Sequence, residues 1–464
     1  MQNMRGLRGR LPWLSAAAVA IVASFTAIQP AAAADPPECN GAAELCAKPF
    51  NEVVLPGTHN SMSSLDLGWA IPNQLVSIPK QLDAGIRGFL IDTHYGKAND
   101  QGLVTKVPTS ERNDPGVKMY LCHEFCQAGA SELIPELVKV RTFLAANPGE
   151  ALVFINQAGI LPEDFETAVT QSGLNNHLYT GSTTGTWPTL GEMVADNQRV
   201  VMFSEGGTGA VPWYHDAYDG SLQETPYDHR SGGTTQDGID NLTDPAKLNE
   251  SCRPNRGGEV GSLFLMNHWV NGTLDNSNPI APDPEVAKIL NTKDVLVRRA
   301  LACQERRGLA PTLIAVDDFG EGDLIGAVRE LNGLPPLPGP DPDPDPIPDP
   351  PAIPQIRLKA SAPKNVVIRA GRKAVAKVKL TNIGDGPGNV KVCATVPKRL
   401  AKKPRCGFAK LAVGGSATAA IKIQAKRRVK GSGKVKFTIT SANETLTAKS
   451  TLKVKPQPKK KRKR

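Results

Sequence analysis

The chain has 464 residues, which is enough for roughly two or three domains. Its net charge of +10 hides a division: residues 355–464 carry 31 lysines and arginines against 2 acidic residues, whereas residues 1–354 carry 24 against 43. This division excludes a uniformly charged surface, and we expect the two parts to bind different partners.

The first 34 residues have the pattern of a secretory signal peptide. Three arginines precede an apolar segment at 14–28, and four alanines at 31–34 provide a small-residue cleavage site. A membrane anchor is the alternative, but the apolar run is short and no later segment supplies about 18 uncharged apolar residues. We therefore predict cleavage near Ala34 and a soluble, exported mature protein.

All eight cysteines follow this segment, and an even number suits an oxidising compartment. A zinc site that includes Cys122 and Cys126 is an alternative, but no second Cys/His pair at ligand spacing accompanies them. Disulfides are therefore expected. The spacing favours four local pairs: Cys39 with Cys46, Cys122 with Cys126, Cys252 with Cys303, and Cys393 with Cys406.

Residues 35–334 alternate strand-like and helix-like segments, which predicts an α/β domain with a parallel sheet. The strand-like runs are 52–56, 88–91, 118–122, 151–155, 199–203, 262–266 and 311–316. The helix-like runs are 131–146, 163–171, 285–304 and 323–331. Seven strands over this length suit a TIM-type barrel, possibly an irregular one. An open doubly wound sheet is the alternative, but no Gly-rich phosphate turn follows the first strand.

The remaining segments differ sharply in composition. Residues 214–256 are polar and without clear periodicity, so we expect a functional loop at the rim of the site. Prolines and aspartates at 335–354 predict a stiff linker. Short alternating strands at 355–456 predict an immunoglobulin-like β-sandwich, and residues 457–464 a disordered basic tail.

Polar and ionisable residues follow each strand-like run of residues 35–334. The first run is followed by His59 and the third by His123, and Asp92 ends the second. In a barrel such strand ends converge on one face. Two histidines at one mouth suit acid–base phosphodiester chemistry, because imidazole both accepts and donates protons near neutral pH.

The run at 55–61, with Gly85-Ile86-Arg87 leading to Asp92 and a strand ending in His123, resembles the X-type catalytic domain of phosphatidylinositol-specific phospholipase C. The closing segment 314–319 is also similar, and the resemblance covers residues 39–333. It implies a TIM-type barrel and two-step cleavage of phosphatidylinositol. His59 would be the base and His123 the acid, Asp92 would be a further catalytic residue, and Asp317 would orient His59.

The same resemblance raises the question of a metal. No arginine stands where simple bacterial members place one, and Asn60 follows the histidine as in the calcium-dependent type. Asn60, Asp92, Asn156 and Glu205 are therefore candidate Ca²⁺ ligands, although two carboxylates of the eukaryotic pattern are replaced by Leu90 and Asn156. Glu124 or Glu205 could compensate for them.

The basic segment 355–464 suggests a partner of its own. Aromatic residues are nearly absent there, which argues against single-stranded nucleic acid. Anionic envelope polymers or lipids are the expected partners, and we expect a monomer. Two rival functions stay open: a glycerophosphodiester phosphodiesterase-like enzyme, and a catalytically impaired barrel that binds anionic surfaces.

Overall fold

The computed structural model describes residues 38–337 and 354–457, apart from Glu124, Asp228, 231–232, 274–279 and Asn443. The predicted signal peptide, most of the Pro/Asp-rich linker and the basic tail lie outside the described residues. Below, residues 38–337 are called the α/β module and residues 354–457 the β module.

A parallel sheet of eight strands organises the α/β module. The strands of the module are β1 (Leu55–Thr58), β2 (Gly88–Ala98), β3 (Val104–Lys106), β4 (Val117–Leu121), β5 (Ser131–Glu132), β6 (Leu152–Gly159), β7 (Val200–Ser204), β8 (Tyr214–Asp216), β9 (Leu222–Glu224), β10 (Leu263–His268), β11 (Gly272–Thr273), β12 (Ile280–Ala281) and β13 (Leu313–Val316). The parallel path runs β8-β7-β6-β2-β1-β13-β10-β9, and no strand ladder joins its two ends among the described residues.

Helices connect most of these strands. They are α1 (Ile78–Asp83), α2 (Leu133–Ala146), α3 (Pro162–Ser172), α4 (Leu190–Ala195), α5 (Thr235–Thr243), α6 (Pro245–Ser251), α7 (Pro284–Leu290), α8 (Lys293–Arg307) and α9 (Leu324–Leu331). The predicted helix 285–304 is divided into α7 and α8, since the backbone leaves the helical form at Asn291 and Thr292.

Alternation along the strands builds two apolar layers, one on each face of the curled sheet. The concave layer includes Leu55, Ile155, Phe203, Leu265 and Ala315. The convex layer packs against the helices and contains Val54, just before β1, and the strand residues Phe154, Met202, Met266 and Ile314. The side chains that alternate onto the concave face include Gln157 and Asn267 near the ends of β6 and β10, and His59, Glu205 and Asp317 directly after β1, β7 and β13. The carboxyl ends of the strands thus share one edge, called the carboxyl edge below.

Two sequence expectations for the sheet were wrong. The run at 118–122 is not a parallel strand, because β4 pairs antiparallel with the outer half of the long strand β2. The segment 214–256 is not simply a loop, since it contains β8, β9 and two helices. The strands β8 and β9 have three residues each, which are too few to show a periodic pattern in the sequence.

The four cysteine pairs predicted from spacing are confirmed as disulfides: Cys39–Cys46, Cys122–Cys126, Cys252–Cys303 and Cys393–Cys406. They suit an oxidising compartment. Within the described ranges, no helix is both long and apolar enough to cross a membrane.

The β module consists of two sheets that enclose a separate apolar core. One sheet contains β14 (Leu358–Ser361), β16 (Lys373–Asn382) and β19 (Ser416–Gln424). The other contains β15 (Asn365–Arg369), β17 (Gly388–Thr395), β18 (Gly407–Leu411), β20 (Gly431–Thr440) and β21 (Thr445–Lys455). Apolar residues such as Val378, Ile421 and Phe437 point inward, whereas lysines alternate with them on the outer faces.

Candidate active site

His59 lies immediately after β1 and is held by both its backbone and its ring. Its backbone N–H donates to Val316 O at 2.9 Å, and the Gln74 amide donates to its carbonyl at 2.9 Å. Its Nδ1 lies 2.9 Å from Asp317 Oδ1. Because a carboxylate only accepts, Nδ1 carries the hydrogen and Nε2 keeps its lone pair. This tautomer is the one that a general base needs.

Asp317 is fixed from several directions. Asn73 Nδ2 donates to Asp317 Oδ1 at 3.0 Å, and Asn291 Nδ2 donates to the Asp317 carbonyl at 2.8 Å. The Asp317 side chain is only 6% exposed, against 19% for His59. A buried carboxylate beside the base stabilises the imidazolium that forms when the base takes a proton. Asn73 was not predicted from the sequence, because it lies in a segment without periodicity.

Trp269 stacks on His59. Their ring centroids are 3.8 Å apart and the ring planes differ by 5°. The indole therefore holds the plane of the imidazole while Asp317 fixes its rotation. An aromatic face also favours a positive charge above it, so this contact adds to the stabilisation of protonated His59.

His123 reaches the same edge by a different route. Leu121, the end of β4, is opposite Thr93 of β2, and the Cys122 N–H donates to the Asp92 carbonyl at 3.2 Å. His123 keeps solvent access at the rim. Even so, its pKa is lowered to about 4, first by desolvation and then by the positive charges of His59, Lys106 and His94. In the free protein His123 is therefore neutral at pH 7.

His94 and Lys106 complete a group of basic side chains around His123. Lys106 Nζ lies 2.9 Å from His94 Nε2. Desolvation and then Lys106 lower the pKa of His94 to about 4. A Cβ atom at Gly159 would lie 2.2 Å from His94 Nδ1, so only glycine allows the ring to lie against β6. We call His59, His94, His123 and Lys106 the basic cluster.

Asn156, a candidate metal ligand, faces away from the carboxyl edge. It is fully buried, its Oδ1 accepts from Thr93 Oγ1 at 3.1 Å, and its Nδ2 donates to the Tyr214 hydroxyl at 2.8 Å. Side chains alternate between the two faces of a strand, and Asn156 comes two residues after Phe154. It therefore lies on the same convex face as Phe154. Its neighbour Gln157 has the concave parity and is opposite Asp92 in the β2–β6 register.

Glu205, another candidate ligand, is engaged by Arg256. Two guanidinium nitrogens of Arg256 donate to the two Glu205 oxygens at 2.7 and 3.0 Å. The same guanidinium donates to both oxygens of Glu224, at 2.7 and 3.0 Å, and the Tyr218 hydroxyl bonds both carboxylates. Glu205 therefore belongs to a closed ion network.

The candidate ligands do not fit a calcium ion well. Asn156 and Glu205 have protein partners, and the Asn60 amide Nδ2 lies 3.0 Å from His59 Nε2. Ca²⁺ takes six to eight oxygen ligands, usually with several carboxylates. Among the described residues, no group of three or more His, Cys, Asp or Glu side chains is arranged to hold a metal.

Known proteins resemble much of the chain. A PI-PLC X domain-containing protein of Arthroderma benhamiae is 27% identical over 308 residues, which cover 64% of this chain and 90% of that protein. Another A. benhamiae protein, described as an uncharacterized secreted protein, is 26% identical and covers 63% of this chain and 62% of that protein. A PI-PLC X domain-containing protein of Arabidopsis thaliana is 26% identical, covering 48% and 49%.

Solved structures add little. The CARDB domain of a Pyrococcus furiosus protein is 12% identical and covers 22% of this chain and 96% of that chain, with a TM-score of 0.18. Native alpha-2-macroglobulin of E. coli is 21% identical and covers 21% of this chain and 7% of that chain, also with a TM-score of 0.18. Likenesses at this TM-score carry no argument about this protein.

The profile of the PI-PLC X family matches residues 45–332, well over half of the chain. The matched range includes β1 to β13 and every residue of the basic cluster. The protein belongs to the PI-PLC X family.

Proposed function

We propose that the protein is a secreted phosphodiesterase that cleaves phosphatidylinositol-type phospholipids by histidine acid–base catalysis. The observation that carries this proposal is the pair of histidines at one edge, with His59 held by Asp317 in the tautomer of a base. On this proposal the curled sheet works as an irregular TIM-type barrel, with substrate bound at its carboxyl edge.

The first step is an internal transfer. His59 Nε2 takes the proton of the inositol 2-hydroxyl, whose oxygen forms a bond to phosphorus. The bond from phosphorus to the diacylglycerol oxygen breaks, and His123 gives that oxygen a proton. The products are diacylglycerol and a cyclic inositol phosphate. In a second step His123 takes a proton from water, the hydroxide oxygen bonds to phosphorus, and His59 protonates the departing 2-oxygen.

His123 must be protonated before it can act as the acid. Its pKa of about 4 belongs to the protein without substrate, where burial and then the positive charges of His59, Lys106 and His94 lower it. A phosphodiester carries a negative charge, and an anion beside an imidazole raises the imidazole pKa. Substrate binding and proton uptake by His123 are therefore coupled. Asp92, the remaining predicted catalytic residue, is buried, and neither proton transfer of this scheme passes through its carboxyl group.

Three variants test the proposal on phosphatidylinositol vesicles. His59→Ala and His123→Ala should each lose roughly 10²- to 10⁴-fold in kcat, the usual size of general acid–base catalysis. His177→Ala is the matched control, because His177 ends a short 3₁₀ helix after α3, where it contacts Asn197. If the wild type has no activity on phosphatidylinositol, the result favours a catalytically impaired barrel that binds anionic surfaces. Activity on glycerophosphodiesters would favour a glycerophosphodiester phosphodiesterase-like enzyme.

We also propose that the β module binds the protein to anionic lipids or envelope polymers. Lys436 and Lys449 are directly opposite each other on β20 and β21, and both are exposed. With Lys434 they line a surface recess of about 340 Å³. Like charges placed opposite each other destabilise a sheet, and a bound anion relieves that repulsion. Deleting residues 355–464 should abolish retention on anionic vesicles at low salt.

A further inference from the structure

The position of His123 depends on the segment 122–126 that carries it. Cys122 and Cys126 form a disulfide around His123, and both cysteines are buried. The Cys122 N–H donates to the Asp92 carbonyl at 3.2 Å, which fixes the first end of the segment on β2. Phe125, beside the second end, is 46% exposed. A group that holds Phe125 therefore also holds the chain two residues from the proposed acid.

The β module contacts Phe125, since both modules belong to one compact unit. Phe408 of β18 and Lys391 of β17 are directly opposite each other in the ladder between these strands, so their side chains share one face of the sheet. The Phe125 ring lies beside both, with its centroid 5.9 Å from that of Phe408 and 5.5 Å from Lys391 Nζ. Aromatic and cation–π contacts favour defined ring geometries, so this pair of contacts fixes Phe125.

A second contact joins the modules beside the first. The Asn389 N–H of β17 donates to the Gly68 carbonyl at 2.8 Å. Gly68 has a φ of +72°, and a Cβ atom there would lie 2.8 Å from the Pro387 carbonyl oxygen, so only glycine allows this approach. Two residues later, the Ala70 N–H donates to the Ala128 carbonyl at 2.7 Å. Ala128 ends the short 3₁₀ helix that begins at Cys126, so the second contact is tied to the segment of His123.

We infer that Phe408 is a positioning residue for His123: the β module holds the proposed acid in place through Phe125, in addition to binding the protein to a surface. The inference rests on the proposed function, which assigns to His123 the role of the acid. Proton transfer to the leaving oxygen needs hydrogen-bond distance, and a displacement of about 1 Å costs up to roughly 10²-fold in rate. Loss of the contact should thus slow the chemical step without weakening substrate binding.

The ring NMR signals of His123 in the full chain test the inference without any turnover. In Phe408→Ala we expect these signals to shift or broaden, because the segment 122–126 loses its outer contact. Phe125→Ala removes the same contact from the α/β module, so a folding defect in one variant leaves the other as a test. Val367→Ala is the matched control, because Val367 is 49% exposed on β15, at the opposite end of the same sheet. Equal His123 signals in Phe408→Ala and Val367→Ala would overturn the inference.

Turnover of a short-chain phosphatidylinositol, dissolved as monomers, separates positioning from attachment to a surface. Phe408→Ala should lower kcat about tenfold with KM unchanged, and Phe408→Tyr should keep most of the rate because it retains the ring. Phe125→Ala should lose about as much, and the double variant no more than either, since both changes remove one contact.

Two outcomes of the turnover experiment would contradict the inference: losses that multiply in the double variant, and a kcat of Phe408→Ala equal to that of Val367→Ala. The NMR result distinguishes this failure from a failure of the proposed function. If the wild type cleaves no phosphatidylinositol yet Phe408→Ala changes the His123 signals, the substrate assignment fails and the positioning of His123 by the β module stands.

Discussion

The α/β module and the β module both carry many charged side chains but arrange them in opposite ways. In the α/β module, several charges of opposite sign are paired, as in the network of Arg256 with Glu205 and Glu224. Residues 355–464 have only two acids for 31 lysines and arginines, so most of these cations cannot find a carboxylate in their own module. Paired charges can hold groups in fixed geometry, whereas a field of like charges attracts any polyanion.

The substitution Asp317→Asn tests the pairing that fixes the proposed base. The new side-chain amide can donate to His59 Nδ1, which favours the wrong tautomer, and the charge that stabilises the imidazolium is lost. We expect kcat on phosphatidylinositol to fall by roughly 10²- to 10⁴-fold. Asn73→Ala, which removes one hydrogen bond to Asp317, should cost far less. Similar losses in both variants, measured with equal thermal stability, would contradict the role of Asp317.

Breaking the Arg256 network tests whether a paired charge also stabilises the fold. Glu224 is fully buried, so Arg256→Met leaves an uncompensated charge inside the module. We expect a loss of about 3 kcal/mol in the free energy of unfolding. Arg298→Met is the control, because its pair with Asp294 is exposed and such pairs contribute less than about 1 kcal/mol. Denaturant unfolding of both variants checks the difference, and equal losses would contradict it.

The disulfides and part of the candidate site could be predicted from the sequence. Other parts of the site could not, for physical reasons. Local cysteine spacing and the polar residues after apolar runs led to the four disulfides and to His59. Asn156 was predicted to face the site and does not, because side chains alternate along a strand and an error of one residue moves a side chain to the other face. His94 and Lys106 meet because β3 folds back antiparallel on β2. A strand of only three residues has no periodic pattern from which this pairing could be predicted.

The two modules should also differ in their response to acid. All seven histidines lie in the α/β module. Desolvation lowers the pKa of His94 and His123 to about 4 and of His268 to about 3, and it lowers the pKa of His215 and His229 as well. These groups bind protons less readily in the folded state than in the unfolded state. Their stabilisation is complete above about pH 6.5 and is lost as the pH falls toward 4.

Asp318 acts in the opposite direction. Burial, and then the charge of Asp317, raises its pKa to about 8, so it stabilises the fold increasingly as the pH falls below that value. Five histidines outweigh one carboxyl group, and the net effect as the pH falls from about 6.5 toward 4 is destabilising. Hydrogen exchange of the full chain at about pH 7.5 and 4.5 should show faster global opening of the α/β module only. An equal acceleration of hydrogen exchange in the β module would contradict the expectation that acid destabilises only the α/β module.

The smallest expected effect concerns the lysines of the β module. Each lysine near an anionic surface contributes modestly, so Lys436→Thr should weaken binding to phosphatidylserine vesicles only roughly fivefold, with a similar loss for Lys449→Thr. Each change also removes a like-charge pair across β20 and β21, so the melting temperature should rise rather than fall. Lys379→Thr, on the outer face of the other sheet, is the control. An equal loss of binding in this control would show that total charge, and not the face formed by β20 and β21, determines attachment. A loss of melting temperature in Lys436→Thr would show instead that the two lysines stabilise the sheet.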